Sequence, residues 1–166
     1  MKIAILGCGD SIWRTWGAAN REQYAARIAV NCVINYFQAE YLVACDPSTI
    51  TKVTGKPLKQ AYSRRDLLQH CEEWPADCGF LLCDISKSGP FALSFSIESA
   101  IWLAHEKGAT EIDLYGTLGD APDETRIASA GRGIVSNRER WIDERRRVKK
   151  LIDYLSQNGT TVRSIQ

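Results

Sequence analysis

Near its amino terminus the chain reads Ile3-Ala4-Ile5-Leu6-Gly7-Cys8-Gly9-Asp10-Ser11, an apolar run that breaks into a glycine-rich turn. The apolar residues do not alternate with polar ones, a pattern typical of a strand that is buried on both faces. Such a strand belongs to a parallel sheet with helices on either side, and Gly7 and Gly9 mark its carboxyl end. The segment therefore predicts an α/β fold whose first turn lies where such folds bind ligands.

The rest of the chain alternates short apolar strands with longer segments of helical character. A single domain over residues 1–166 is predicted, a Rossmann-like three-layer α/β sandwich with a mostly parallel sheet. Gly108 is placed to end one of its helices. The segment 116–136 is long for a connection within a compact domain, which is typical of a binding element. We predict strands at 2–7, 41–45, 79–83, 111–115 and 160–165, and helices at 21–37, 63–74, 96–107 and 137–157.

The composition narrows the range of partners. The 166 residues are 45% hydrophobic and 25% charged, with a net charge of +1, so no strong field would attract nucleic acid. Six cysteines without a CxxC pair indicate a reducing compartment rather than a disulfide framework. No apolar run approaches the ~20 residues of a membrane helix. We expect a cytoplasmic protein with a small-molecule partner, no nucleic acid and no membrane span; a homo-oligomer is left open.

Polar or glycine-rich residues follow four of the predicted strands. They lie at Gly7–Ser11, Asp46–Ser48, Asp84–Gly89 and Gly116–Asp120. Because the carboxyl ends of parallel strands share one edge of the sheet, these segments are expected to meet there. That edge is where open α/β sheets bind nucleotides, and the sequence predicts a nucleotide site at it.

The first glycine turn is open to two further interpretations. A dinucleotide fold would place a third glycine at position 12, where this chain has Ile12. It would also place an acidic residue about 20 residues further on, whereas Asp46 lies well beyond that spacing. A methyltransferase that uses S-adenosylmethionine is the other alternative, because Gly7–Asp10 and Cys45–Ser48 look like the cofactor-binding segments of that family.

A third pattern extends over most of the chain. Gly7-Cys8-Gly9-Asp10-Ser11 resembles the Gly-x-Gly-Pro-Ser turn of a family of small Rossmann-like transferases, which includes the MptE-like 6-hydroxymethylpterin pyrophosphokinases and the bacterial sialyltransferases. Gly108-Ala109-Thr110-Glu111-Ile112-Asp113-Leu114-Tyr115-Gly116 is similar to their Gly-x-x-Glu-Ile-x-Leu-x-Gly segment, which follows a helix that begins at a serine, here Ser96. Leu118 stands where that family often has an aspartate, and the catalytic histidine of the sialyltransferases has no evident counterpart.

The resemblance and the strand ends together suggest the site residues. Asp46 and Asp84 are the candidate catalytic carboxylates, and Asp46 and Asp120 are the candidate ligands of Mg²⁺, which takes carboxylate oxygens. As alternatives, both catalytic candidates simply cap turns, and Ser96 caps its helix. Trp13 and Trp16 suit either ring stacking on a ligand or buried packing. The residues expected to bind the nucleotide are Gly7, Gly9, Asp10, Ser11, Asp46, Ser88, Ser94, Ser96 and Gly116.

The predicted function is that of a nucleotide-dependent transferase. The transferred group is of the glycosyl or the phosphoryl/pyrophosphoryl type, the donor is a nucleotide or nucleotide sugar, and the acceptor is left open. Two alternatives stay open: an S-adenosylmethionine-dependent methyltransferase, and a non-catalytic protein that binds or senses a nucleotide.

Overall fold

The structure is a computed structural model, and it describes residues 1–9, 11–44, 58–63, 81–84, 92–117 and 138–165. These residues form seven strands and three α-helices. The strands are β1 (Lys2–Leu6), β2 (Ala26–Val30), β3 (Tyr41–Val43), β4 (Gln60–Ser63), β5 (Leu81–Asp84), β6 (Glu111–Tyr115) and β7 (Thr161–Ile165). The helices are α1 (Ile12–Gly17), α2 (Ser96–Glu106) and α3 (Arg138–Gln157).

All seven strands belong to one parallel sheet in the order β5-β4-β3-β2-β1-β6-β7. The register aligns the strand ends, since Leu6 pairs with both Ala29 of β2 and Tyr115 of β6. We call the edge at which all strands end the carboxyl edge. The predicted Rossmann-like α/β sandwich with a parallel sheet is confirmed.

Two apolar clusters cover the two faces of the sheet. On one face, Ile3 and Ile5 of β1 pack with residues of α2 and α3, among them Ile101 and Leu151. On the other face, Ala4 and Leu6 pack with Trp16 of α1 and with residues that connect β1, β2 and β3. Because β1 is buried on both faces, it has the unbroken apolar sequence expected of a central parallel strand.

The predicted helix at 21–37 is wrong. Its middle forms β2, which lies between two short 3₁₀ turns at Arg21–Gln23 and Asn31–Asn35. Ile28, Ala29 and Val30 are all buried because β2 lies inside the sheet with both faces covered. A strand covered on both faces has no alternation of polar and apolar residues, so its apolar positions also satisfy a helical spacing.

Strand β4 was not predicted. It is only four residues long, and its sequence Gln-Ala-Tyr-Ser lacks the run of aliphatic residues that signals a buried strand. Ser63 is the last residue of β4, and the rest of the helix predicted at 63–74 lies outside the described residues. The strand predicted at 79–83 is present as β5, Leu81–Asp84.

The carboxyl-terminal half of the prediction is confirmed wherever the structure describes it. Helix α2 ends at Glu106, and Gly108 follows its capping residue with a φ of 85°, a conformation that suits glycine. Strands β6 and β7 and helix α3 lie where the sequence indicates them. Within the described residues, no helix is both long and apolar enough to cross a membrane.

Candidate functional site

The order of the strands reverses between β1 and β6. From β1 the chain adds β2 to β5 on one side and then returns to add β6 and β7 on the other side. In open parallel sheets, a crevice forms at the carboxyl edge where the strand order reverses in this way. The glycine turn after β1 and Gly116 after β6 both lie at this point.

Gly7 and Gly116 are in unusually close approach. A Cβ on Gly7 would lie 2.5 Å from the carbonyl oxygen of Gly116, and a Cβ on Gly116 would lie 2.8 Å from the carbonyl oxygen of Gly9. Gly116 also has a φ of 58°, which favours glycine. The packing of one backbone against the other is therefore enough to explain glycine at both positions.

The N–H groups of the first turn are used within the protein. The Gly7 N–H donates to the carbonyl oxygen of Tyr115 at 2.7 Å, and the Gly9 N–H donates to that of Gly116 at 2.6 Å. Ser11 precedes α1, and its carbonyl oxygen accepts from the Thr15 hydroxyl at 3.0 Å. The bonds of Gly7 and Gly9 hold the start of the turn against the end of β6, so these two N–H groups are not available to a ligand.

One neighbouring segment is the start of α2. The Ser96 hydroxyl donates to the side-chain oxygen of Asn31 at 3.1 Å, and Asn31 directly follows β2. Asn31 has a φ of 53°, a left-handed conformation that asparagine tolerates better than most residues. The cap of α2 is Phe95 rather than Ser96, so the Ser96 hydroxyl makes a tertiary contact instead of capping its own helix.

A buried ion pair fixes the approach to α2. The fully buried carboxylate of Glu98 accepts the N–H groups of Ser94 and Phe95, both at 2.9 Å, and the Arg147 Nε–H at 3.1 Å. Arg147 also donates to the carbonyl oxygen of Ala92. Helix α3 thereby holds the segment that leads into α2, and this sets the position of Ser96 at the carboxyl edge.

Two thiols lie beside the same turn. The Sγ of Cys8 is 3.6 Å from the Sγ of Cys32 and donates to the carbonyl oxygen of Val30 at 3.1 Å. Cys8 is half-buried and Cys32 is buried. The turns after β1 and β2 are therefore in side-chain contact, and Asn31 lies within the second of them.

Two buried hydroxyls near this edge have no partner among the described residues. They are Thr117 Oγ1, directly after Gly116, and Ser99 Oγ, one turn after Ser96 on α2. Buried hydroxyls normally find a hydrogen-bond partner in protein or water. Within the described part of the chain, the hydrogen-bonding capacity of these two hydroxyls is therefore unused.

The structure separates the two tryptophans. Trp16 is buried against Tyr24 and Tyr115, so it belongs to the core. Trp13 is 51% exposed and packs on Tyr36 and Phe37. The latter two line a cavity of about 150 Å³ formed by residues 34–39 and Leu58.

A polar cluster lies beneath the site, on the face of the sheet that carries α1. Asp113 is 2% exposed and accepts from the Tyr24 hydroxyl at 2.7 Å, from Lys2 at 3.0 Å and from Arg163 at 3.0 Å. Burial alone would raise the pKa of Asp113, but these hydrogen bonds outweigh it and hold the pKa below its usual value. Burial and the hydrogen bonds with Tyr115 and Asp113 raise the pKa of Tyr24. The cluster joins β1, β6 and β7.

The structure brings part of the predicted site together. Gly7, Gly9, Ser11, Ser96 and Gly116 lie at the carboxyl edge. Ser94 is exposed just before α2, and its N–H is bound by Glu98.

The remaining predicted residues are acidic apart from one serine. Asp84 ends β5 at the same edge, but its side chain is outside the described residues. Asp10, Asp46, Ser88 and Asp120 lie outside them altogether. In the part of the chain that is described, no three His, Cys, Asp or Glu side chains form a group that could hold a metal ion.

No sequence pattern pointed directly to Asn31, to Glu98 or to the contact between Cys8 and Cys32. Asn31 and Cys32 fell inside the wrongly predicted helix, and Glu98 reads as an ordinary helix residue. The capping-box signature requires a serine or threonine three residues before the glutamate, whereas Phe95 stands there, so it could not have identified Glu98.

Comparisons of the chain with protein-family descriptions, with curated proteins and with solved structures find no match.

Proposed function

We infer that this protein binds a nucleotide or nucleotide sugar at the carboxyl edge, between the turns after β1, β2 and β6 and the start of α2, and transfers a glycosyl or phosphoryl-type group from it. The observation that carries this proposal is the hydrogen bond between Ser96 and Asn31. It joins the start of an eleven-residue helix to the turn beside the point where the strand order reverses.

The start of α2 suits an anionic group. The first N–H groups of a helix have no partner within the helix, and the helix dipole places partial positive charge there. Phosphates bind at such positions in many α/β proteins. Thr117 Oγ1, which has no hydrogen-bond partner among the described residues, lies directly after Gly116 at the same edge.

These groups would act mainly on the leaving phosphate. In group transfer from a nucleotide, a bond forms between the acceptor oxygen and the transferred group while the bond from that group to the nucleotide phosphate breaks. Negative charge grows on the phosphate oxygens, and the proton of the acceptor hydroxyl passes to a base or to solvent. Donors fixed in position before the reaction stabilise that charge without reorganising. The N–H groups of the first turn of α2 would supply them. The hydrogen bond from Ser96 to Asn31 and the ion pair of Glu98 with Arg147 would keep that turn in place. Catalysis by Asp46 and Asp84, and Mg²⁺ at Asp46 and Asp120, stay predictions.

Calorimetric titration of the protein with a panel of ligands tests the proposal. The panel contains nucleoside mono-, di- and triphosphates, nucleotide sugars and S-adenosylmethionine, each with and without Mg²⁺. Binding of phosphorylated nucleotides, followed by their turnover with an acceptor mixture, is expected. Binding without turnover would favour the nucleotide sensor, binding of S-adenosylmethionine alone would favour the methyltransferase, and binding of none would contradict all three.

Two variants locate the site. Ser96→Ala and Asn31→Gly each remove one partner of the hydrogen bond, and glycine preserves the left-handed conformation at position 31. Each is expected to weaken nucleotide binding about fivefold, since a hydrogen bond contributes ~1 kcal/mol. Ser156→Ala is the matched control, because Ser156 is exposed near the end of α3 at the opposite edge. Equal nucleotide affinity in the unchanged protein and in all three variants would show that the nucleotide binds elsewhere.

A further inference from the structure

The contact between Cys8 and Cys32 is a feature that nucleotide binding does not explain. The two residues are 24 positions apart in the sequence, yet their Sγ atoms are 3.6 Å apart. They lie on the turns that follow the neighbouring strands β1 and β2. Folding alone therefore brings the two thiols together and keeps them together.

We propose that Cys8 and Cys32 form a reversible disulfide, which makes this pair a thiol-modification site at the carboxyl edge. A disulfide has an S–S length of about 2.05 Å, so the sulfurs must approach by about 1.5 Å from their present distance. Both residues lie outside the paired segments of β1 and β2, so the approach of the two sulfurs does not require the pairing of these strands to break. The proposal does not depend on nucleotide binding.

The different exposure of the two thiols sets the order of the reaction. Cys8 is half-buried and Cys32 is only 4% exposed, so an oxidant in solution reaches Cys8 first. The oxidant class is a small disulfide such as oxidised glutathione. The Cys8 thiol loses its proton to solvent, and the resulting thiolate attacks one sulfur of the oxidant and releases one thiolate, which leaves a mixed disulfide on Cys8.

The second step closes the pair. Cys32 loses its proton and attacks the Cys8 sulfur, and the bond between Cys8 and the small thiol breaks. In sum, two cysteine thiols are oxidised to one disulfide, and one small disulfide is reduced to two thiols. An excess of the small thiol reverses both steps.

The site also has a structural consequence for its neighbours. Asn31, which holds Ser96, directly precedes Cys32. Val30, whose carbonyl oxygen accepts from Cys8, directly precedes Asn31. Formation of the disulfide replaces the Cys8–Val30 hydrogen bond and ties the turn after β1 to the turn after β2.

The test is non-reducing peptide mapping of the full-length protein after equilibration with mixtures of oxidised and reduced glutathione. A peptide pair joined through Cys8 and Cys32 is expected to accumulate as the oxidised fraction rises and to disappear when reduced glutathione is restored. Separate glutathione adducts on the two cysteines, or two unmodified cysteines, at every ratio would overturn the proposal. This measurement needs no variant, so it stands even where a substitution impairs folding.

Variants test the order of the steps. Cys32→Ser is expected to stop at the mixed disulfide, with glutathione retained on Cys8. Cys8→Ser is expected to slow modification of Cys32 at least about tenfold, because reactivity follows exposure. Cys83→Ser is the matched control, because β5 lies three strands away from β2; it should retain the Cys8–Cys32 linkage. Loss of the linkage in that control, or equal modification rates of Cys32 with and without Cys8, would contradict the mechanism.

Discussion

The Tyr24 hydroxyl lies 2.7 Å from the Asp113 carboxylate and 2.6 Å from the Tyr115 hydroxyl, and it joins the connection after α1 to the middle and the end of β6. Both tyrosines are mostly buried and Asp113 is almost fully buried. In such surroundings an unpaired polar group costs more free energy than a formed hydrogen bond returns. The three side chains therefore form a buried unit, and removing one of them takes a hydrogen bond away from each of its partners.

Substitutions in this unit should destabilise the fold. Asp113→Asn is expected to lower the free energy of unfolding by about 2 kcal/mol, because the neutral amide cannot satisfy both Lys2 and Arg163 as a carboxylate does. Tyr24→Phe should lower the free energy of unfolding by about 1 to 2 kcal/mol. Urea denaturation measures both values. Tyr36→Phe, at a tyrosine that is 50% exposed, is the control and should change the value by less than ~0.5 kcal/mol.

The depressed pKa of Asp113 predicts how stability depends on pH. A carboxyl group with a lowered pKa in the folded state stabilises the fold at pH values above its unfolded pKa of about 3.9. That contribution is lost as the pH falls through the folded pKa. The acid limb of a stability–pH curve should therefore become shallower in Asp113→Asn. An unchanged acid limb in that variant would mean that other carboxyl groups control acid unfolding.

Glu40 should contribute to the same acid limb from another part of the sheet. Burial alone would raise the pKa of Glu40, but its hydrogen bonds with Arg27 outweigh this effect and lower it. Like Asp113, it stabilises the fold above its unfolded pKa and loses that effect as the pH falls. The variant Glu40→Gln should therefore also flatten the curve, and the two effects should add because the sites are separate. Strong non-additivity in the double variant would contradict this independence.

The ion pair between Glu98 and Arg147 predicts a contrast between adjacent arginines. Arg147→Met leaves the fully buried Glu98 carboxylate without its cation. We therefore expect the free energy of unfolding to fall by about 2 to 3 kcal/mol. Arg146 pairs with Asp143 on the surface, where its side chain is 78% exposed. Arg146→Met should therefore cost less than ~0.5 kcal/mol. Similar losses for the two variants, measured by thermal unfolding, would show that the buried pair does not anchor α2.

The close approach of Gly7 to Gly116 predicts a contrast between two glycines. Gly7→Ala should destabilise the protein by about 3 kcal/mol or more, because the new Cβ meets backbone atoms that cannot move aside. Gly17→Ala places its Cβ where no atom lies within 4 Å and should stabilise the end of α1 by up to ~1 kcal/mol. Chemical denaturation compares the two. A tolerated alanine at position 7 would mean that the turn after β1 is looser than its hydrogen bonds indicate.

The sequence was sufficient to predict those helices and strands whose residue pattern has only one interpretation. β1 and β6 combine an apolar run with a glycine at the end, and α2 has a helical apolar face followed by Gly108. The prediction for β2 was wrong because an unbroken apolar strand in the middle of a sheet also fits a helical period. β4 was not predicted because four residues are too few to show a pattern of apolar positions. Its place in the sheet depends on its pairing with β3 and β5.

For the site, the sequence could predict only the edge of the sheet at which it lies. Strand ends in a parallel sheet share one side, so Gly7, Ser96 and Gly116 could be assigned to it from the sequence alone. Contacts between side chains from distant segments could not. The hydrogen bond between Ser96 and Asn31 depends on β2, which the spacing of its apolar residues wrongly indicated to be a helix. The proximity of Cys8 to Cys32 depends on the register of β1 and β2.

The strand order has a consequence for how the protein is made. β1 is synthesised before the other six strands of the sheet, but it lies inside the sheet with β6 on one side, so this neighbour is missing until residues 111–115 have left the ribosome. At about 5 to 20 residues per second, the nascent chain carries an open, apolar strand edge for roughly 5 to 20 seconds. Chaperones that cover emerging strands should therefore matter more for this protein than for one of equal size whose first strand lies at the rim.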